Sequence, residues 1–282
     1  MYTIIKKTVL NPTVVRMDVE APLVAKKAQA GQFIILRTDA DGERIPLTVA
    51  DTDRDAGTVT IIFQKAGATT DRLAQMEEGD FIHDFAGPLG RPTETDGLKK
   101  AAIVGGGVGC AIAYPVAKKL YEQGCEVHAV VGFRNRDLVI LEDEFRAVSH
   151  KMKMMTDDGS YGEKGLVTDA LRALIESGEK YDEVIVIGPL MMMKFVCALT
   201  KEYRIKTTVS MNPIMIDGTG MCGGCRLTLK RDGKKSISFA CVDGPDFNGY
   251  EVDFDEAMSR SRMYADAERH AYEKSCNLMK KV

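Results

Sequence analysis

"KKAAIVGGGVGCAIAYPVAKKLYEQG" (Lys99–Gly124) decides how this chain is built. An apolar run, Ala101 to Val104, leads into the glycine turn "VGGGVG" (Val104–Gly109), and a helical stretch follows as far as Gly124. A strand with no polar face belongs to a sheet covered on both sides, and strand–turn–helix is the opening of a parallel crossover. Backbone amides of such a turn, together with the helix N-terminus, suit a phosphate. A turn serving only close packing is the alternative, because the match to Gly-x-Gly-x-x-Gly is incomplete: Cys110 holds the last glycine position. No acidic residue ends the next strand, where Gly132, Phe133 and Arg134 stand, and Pro115 lies inside the helix. The unit therefore departs from a standard dehydrogenase domain.

Toward the C-terminus the alternation continues. "CEVHAVVGFRN" reads as a strand, "LVILEDEFRAVS" begins a helix, and "KMKMMTDDGS" reads as a third strand. "LVTDALRALIESG" has helical periodicity, and "YDEVIVIGPLMMMKFVCALTKEY" is a further strand–helix pair. The pattern predicts a doubly wound parallel α/β domain over residues 98–210. Ligands of such sheets lie along the carboxyl edge. Gly106, Gly107, Val108 and Gly109, then Arg134, Asp157, and the turn residues Gly188 and Pro189 are therefore the candidates for a nucleotide.

Toward the N-terminus, residues 1–97 read as β structure. "YTIIKKTVL", "VVRMDVEA", "QFIILRTD", "TVTIIFQKA" and "DFIHDFAGP" are short apolar runs separated by Gly, Pro and Asp turns, which predicts a small antiparallel barrel. "RIPLT" (Arg44–Thr48) reads by composition as an edge strand carrying a proline.

Residues 211–282 hold a glycine-rich, cysteine-bearing loop and a charged helical tail. "IDGTGMCGGCRLTL" (Ile216–Leu229) contains Cys222-x2-Cys225, and Cys241 follows after fifteen intervening residues in "CVDGP". Three thiolates leave a four-ligand centre one donor short, and Asp217 stands five residues before Cys222. Asp-x4-Cys-x2-Cys reproduces the first three positions of the plant-type two-iron spacing with Asp for the first Cys. Structural zinc on three Cys and one Asp is the alternative, although zinc ribbons pair two Cys-x2-Cys knuckles and only one exists here. Asp217 could also serve merely to cap a turn. Cys110, Cys125, Cys197 and Cys276 sit in apolar or helical contexts and read as small core or surface residues.

The chain has 282 residues, 45% apolar and 28% charged, with seven cysteines and a net charge of −3. These values predict a soluble, multidomain protein with no basic footprint for nucleic acid. No run reaches the length of a membrane span and the first ten residues lack a signal peptide's apolar core, so a cytoplasmic protein is expected. No Ser/His/Asp or Cys/His set stands out, and no catalytic side chain is assigned; His83 and His128 lie in predicted strands and read as core or edge residues.

Barrel, "RIPLT", "GATT" (Gly67–Thr70) and an α/β domain ending in "GP" together resemble the ferredoxin–NADP reductase family of flavoproteins, over roughly residues 1–200. The resemblance implies FAD lined by Arg44, Pro46, Leu47 and Thr48, its pyrophosphate held by Gly67, Thr69 and Thr70, and NAD(H) presented by the α/β domain. "CVDGP" is similar to the end of the electron-transfer subunits that accompany dihydroorotate dehydrogenase, which carry four cysteines. Aspartate at the first ligand position resembles instead the small subunit of NADH-dependent ferredoxin:NADP oxidoreductase, a flavin-based bifurcating enzyme, and that likeness extends through "GFRNRDLVILEDEF" and "YGEKGLVTDAL". It implies three parts: an FAD-binding barrel (1–97), an NAD-binding domain (98–210) and a [2Fe–2S] loop domain with a C-terminal helix (211–282). It also implies metal ligands Asp217, Cys222, Cys225 and Cys241, a heterodimer with a larger flavoprotein subunit that binds NADP(H), and ferredoxin as an indirect partner. A subunit of a dihydroorotate or sulfide dehydrogenase is the nearer alternative. A non-catalytic zinc-bearing interaction module is the distant one.

Overall fold

The computed structural model describes the backbone of residues 1–279 and the side chains of residues 1–270, Tyr272 and Glu273, so the Cys276 side chain lies outside the described residues. The first third of the chain is a seven-stranded antiparallel sheet curled into a nearly closed barrel. Its strands are β1 (Tyr2–Asn11), β2 (Val14–Glu20), β3 (Phe33–Arg37), β4 (Ile45–Asp53), β5 (Thr58–Gln64), β6 (Phe81–Ile82) and β7 (Asp84–Leu89), in the order β6-β1-β2-β5-β4-β3-β7. Alternate residues fill the interior, among them Met17 and Val19 of β2, Ile34 and Leu36 of β3, and Ile61 and Phe63 of β5. Two short helices that composition gives no hint of, α1 (Pro22–Ala25) and α2 (Ala68–Gln75), link barrel strands.

"RIPLT" is not an edge strand of the whole sheet, because β4 lies between β5 and β3. Its proline is tolerated for a local reason. Residues Ile45–Thr48 pair only with β3, and pairing to β5 starts at Val49. Val49 N donates across to Gln32 O at 3.0 Å, so the alternation turns the amide position of Pro46 to the open side, where its missing N–H breaks no ladder bond.

The second sheet has the order β11-β10-β9-β8-β12-β13-β16. β8 (Lys100–Gly106), β9 (Glu126–Phe133), β10 (Lys151–Thr156), β11 (Glu163–Lys164), β12 (Glu183–Ile187) and β13 (Thr207–Ser210) run parallel. Between them come α3 (Gly109–Glu122), α4 (Glu142–Ala147), α5 (Val167–Glu176) and α6 (Leu190–Glu202). Ala101, Ala102, Ile103 and Val104 of β8 are fully buried, which accounts for a strand with no polar face. α3 and α4 cover one face of the sheet; α5 and α6 cover the other, with Val167, Ala170, Leu171 and Leu174 of α5 recurring at helical spacing. Burying Leu171 alone is worth about 1.5–3 kcal/mol. α3 also packs on the barrel, and Lys118 reaches Asp51 at 2.9 and 3.1 Å.

The C-terminal segment contributes a hairpin, β14 (Arg226–Arg231) with β15 (Lys234–Phe239), and then β16 (Asp246–Asn248), which joins the second sheet antiparallel to β13. The charged tail is two helices, α7 (Phe254–Arg260) and α8 (Ala265–Met279). Among the described residues no helix is long and apolar enough to cross a membrane.

Candidate functional site

Strand β8 has β9 on one side and β12 on the other, so the chain reverses its direction of travel across the sheet between β8 and β12. The carboxyl ends of these two strands carry the glycine turn and Gly188–Pro189, and the loops touch. A Cβ on Gly109 would lie 2.7 Å from both Gly188 Cα and Ile187 O. Gly107 takes φ +55° and its N–H donates to Gly132 O at 2.9 Å. Val108 precedes α3 directly, so the first amides of the helix open toward the crevice. Met192, in the first turn of α6, lies beneath both loops: a Cβ on Gly106 would meet its Sδ at 2.4 Å and one on Gly188 its Cε at 2.6 Å. The glycines are thus demanded by packing as well as by any ligand. Arg134 and Asp157 sit exposed at the ends of β9 and β10, with Asp157 N donating to Phe133 O at 3.0 Å. Arg136 stacks over the Tyr161 ring at 5.4 Å, a contact that no local sequence pattern marks.

On the barrel, Ile45 and Leu47 pack against the core, so Pro46 and Thr48 face outward. The "RIPLT" and "GATT" segments meet where Thr69 Oγ1 donates to Glu43 Oε2 at 3.1 Å. Gly67 is extended at the head of α2, and the Thr70 hydroxyl is spent on the turn, accepting from Ala66 N at 2.9 Å and Gly67 N at 3.0 Å. Thr70 therefore shapes this helix N-terminus and Thr69's hydroxyl is held by Glu43, leaving the first backbone amides of α2 to meet an anion.

Arg44 lines a cavity of about 280 Å³ with Tyr2, Ile35, Asp84, Phe85, Ala86 and Asp217. The cysteine loop is seated on this part of the barrel, since a Cβ on Gly218 would lie 2.6 Å from Leu89 Cδ1 and 3.0 Å from Ile35 Cδ1. Tyr2, Asp84, Phe85 and Ala86 carry no motif in the sequence, because only non-local pairing brings them there: β7 with β3 for the last three, and β1 with β6 for Tyr2, whose ring lies 5.5 Å from that of Phe85.

The four proposed metal ligands form two pairs. Asp217 accepts from Thr219 N and Cys222 N, each at 2.8 Å, and also meets the Cys222 thiol. Led by the Thr219 amide, these donors hold its carboxyl below the usual carboxylate range. Cys241 N donates to Cys225 Sγ at 3.4 Å, and the two thiols are in hydrogen-bonding reach. Burial, and then the neighbouring Cys225, push the Cys241 thiol up to about 12. That environment keeps the Cys241 thiol protonated until a metal's charge takes the place of the proton. A single tetrahedral zinc would need all four donors within about 3.8 Å of one another. Among the described residues the only group of three or more metal-competent side chains with donor atoms mutually within 4.8 Å is Glu126, His128 and Glu179, at the amino edge of the second sheet. Two donor pairs fit a two-iron centre, in which each iron takes two protein ligands, better than one zinc tetrahedron.

The Glu126–His128–Glu179 group is filled by an ammonium. Lys100 Nζ lies 2.9 Å from Glu126 Oε1 and also bonds Glu179. His128 is fully buried between Tyr181 and Glu126, and burial lowers its pKa. It is a core residue, in line with its strand position.

Comparison with known proteins agrees with this geometry. Residues 212–253 match the iron–sulfur cluster binding domain of dihydroorotate dehydrogenase B, and residues 103–198 match the oxidoreductase NAD-binding domain. An uncharacterized protein of the adh 3′ region of Clostridium beijerinckii is 50% identical over 279 residues, covering 96% of this chain and 93% of that one. The dihydroorotate dehydrogenase B (NAD(+)) electron transfer subunit homolog of Thermotoga maritima is 44% identical, covering 96% of this chain and 94% of its own. Among solved structures, the NADH-dependent reduced ferredoxin–NADP oxidoreductase, studied for flavin-based electron bifurcation, superposes with a TM-score of 0.90 at 43% identity over 97% of both chains. With an NAD-binding sheet, a cluster-binding loop and a reductase barrel in one chain, this protein belongs to the family of dihydroorotate dehydrogenase B electron-transfer subunits and their homologues.

Proposed function

We propose that the chain is the flavo-iron–sulfur electron-transfer subunit of an NADH-dependent ferredoxin:NADP oxidoreductase. One observation carries the reading: Asp217, with Cys222, Cys225 and Cys241, forms two donor pairs on a loop seated beside Arg44, in a chain 43% identical to the solved oxidoreductase of that kind. Bound together, FAD and a [2Fe–2S] cluster supply the conversion of a two-electron hydride into single electrons.

The chain's own residues do the positioning. Gly106, Gly107, Val108 and Gly109, with Gly188 and Pro189, offer close backbone approach to NAD(H), and Arg134 and Asp157 flank the ribose end. Gly67 leaves room for the flavin pyrophosphate and the Thr69 backbone amide, in the first turn of α2, offers it a donor, with Thr70 setting the turn. Pro46 and Thr48 face the ring, Leu47 supports them from the core side, and Arg44 offers a guanidinium to a phosphate or to the ring. Asp217 would supply a hard oxygen donor, and Cys222, Cys225 and Cys241 three thiolates, to a [2Fe–2S] cluster.

Ile216, Met221 and Val242, each next to a ligand, are 52%, 89% and 36% exposed, an apolar rim suited to a partner surface. The occupant we assign is a larger flavoprotein subunit that binds NADP(H) and exchanges electrons with ferredoxin. Cys110, Cys125 and Cys197 are free thiols, in keeping with work in the reducing cytoplasm. A dihydroorotate dehydrogenase partner is the second reading, favoured by the match of residues 212–253. Co-purification of the untagged partner, followed by assay with NADP and ferredoxin against dihydroorotate, tests both. A partner inert to NADP and ferredoxin but active on dihydroorotate overturns the first.

A further inference from the structure

We propose that Arg44 serves the cluster loop as well as the flavin: its guanidinium is the cation facing Asp217 across their shared cavity, and it raises the reduction potential of a cluster held there. The inference rests on the cofactor assignment above and adds to it an electrostatic link between the two cofactor sites.

The cavity of about 280 Å³ has three charged walls, Arg44, Asp84 and Asp217. Asp84 is already matched, by Arg37 at 2.7 Å and His83 at 2.9 Å. Asp217 receives backbone amides and a thiol but no cation, and Arg44 has neither an ion pair nor a hydrogen bond among the described residues. Among the described residues, Arg44 is therefore the one cationic side chain lining the space that Asp217 also walls. A space of that volume is on the order of one physiological Debye length across, so charges on its walls are only partly screened from each other. The separation is fixed, because Gly218 seats the loop on Ile35 and Leu89 of the barrel.

A two-iron cluster on four anionic ligands would itself be negative, and one-electron reduction would add a further negative charge. Net charge is one of the terms that set such potentials. A cation on the cavity wall favours the reduced form, and removing it disfavours it.

The test is a redox titration of the cluster followed by electron paramagnetic resonance, on wild type, Arg44→Gln and Arg44→Lys, with FAD in excess. At a fixed potential Arg44→Gln should lower the reduced-to-oxidised ratio about fivefold to tenfold, tenfold being ~59 mV for a one-electron couple. Arg44→Lys should stay within about twofold of wild type, because it keeps the charge. The gap between wild type and Arg44→Gln should narrow as salt is raised, and should persist when FAD is removed from both, which separates the charge from any effect passed through the flavin. An unshifted Arg44→Gln titration, with iron content and signal intact, overturns the link. A wild-type chain that binds no iron removes the cofactor assignment itself.

Discussion

Replacing Gly109 by alanine adds one methyl group where two loops of the nucleotide crevice already touch. The new Cβ would lie 2.7 Å from Gly188 Cα, 2.7 Å from Ile187 O and 3.0 Å from Gly188 N, all backbone atoms. Relaxed carbon contacts need about 3.5–4.0 Å, so the turns must part by roughly an ångström, and no side chain can rotate to absorb it. Overpacking of this kind costs about 1–3 kcal/mol. Alanine recovers about 0.4–1 kcal/mol by restricting the unfolded chain, and Gly109 lies outside the left-handed region, so no φ strain is added. The net loss should be about 1–2 kcal/mol, which lowers the melting temperature by roughly 2–4 °C per kcal/mol in a chain approaching this size. Parting the loops also displaces the bound nucleotide, and a misplacement near 1 Å can cost about a hundredfold in rate. Stopped-flow reduction of the flavin by NADH should therefore slow more than the modest loss of stability suggests. Gly107→Ala is the control for the melting temperature alone: no protein atom lies within 4 Å of its Cβ and φ is +55°, so its stability reports backbone strain without a clash. A Gly109→Ala protein that melts at or above the wild-type temperature and reduces its flavin at the wild-type rate would refute the contact argument.

Asp217→Cys should keep a two-iron cluster with a shifted potential and an altered paramagnetic signal, because thiolate is softer than carboxylate; Asp217→Ala should lose iron readily, and full iron with an unchanged spectrum would reduce Asp217 to a turn residue. Arg44→Ala should weaken FAD by about 1.5–3 kcal/mol in a flavin-fluorescence titration, and unchanged affinity would take Arg44 out of the flavin site. NADH should reduce the flavin faster than NADPH; a clear NADPH preference would point to Arg134 as a reader of the 2′-phosphate. Glu179 is held down to about 2, against an ordinary 4.5, first by Lys100 and then by Lys151. A carboxylate depressed on folding stabilises fully above its unfolded value, so this contribution should be complete above pH 4.5 and fade as pH falls toward 2. Denaturation midpoints across that window should fall less steeply in Glu179→Gln, and identical slopes would show that the network carries no such linkage.

Much of the fold is legible in local pattern. The unbroken apolar run of β8 is what a strand buried on both faces must look like, and the alternation in β2 and β5 is what a barrel wall requires. Cysteine spacing marks the cluster-binding loop but not its pairing: Cys222 and Cys225 are nearest in sequence, yet Cys222 meets Asp217 and Cys225 meets Cys241. What stays hidden depends on partners distant in sequence. β16 reads as three residues of loop, and only pairing with β13 makes it a strand. Leu47 stands among the residues expected to line the flavin, yet strand alternation turns it to the barrel core. The cavity that joins Arg44 to Asp217 spans most of the chain and is created by the seating of Gly218 on β3 and β7.

That seating, together with the docking of residues 243–248, has a consequence for biogenesis. The cysteine-bearing segment is made late on the ribosome, and it is clamped on two sides by structure that precedes it. Arg91 N donates to Gly244 O at 2.7 Å and Met211 N donates to Pro245 O at 2.9 Å. Thr93 Oγ1 donates to Asp246 Oδ2 at 2.6 Å, and β16 extends the sheet beyond β13. Neither face of the segment is complete until the barrel and the nucleotide sheet have both formed. Iron retained in the loop is therefore a record that all preceding parts of the chain have folded, and a misfolded barrel should surface first as an iron-poor protein.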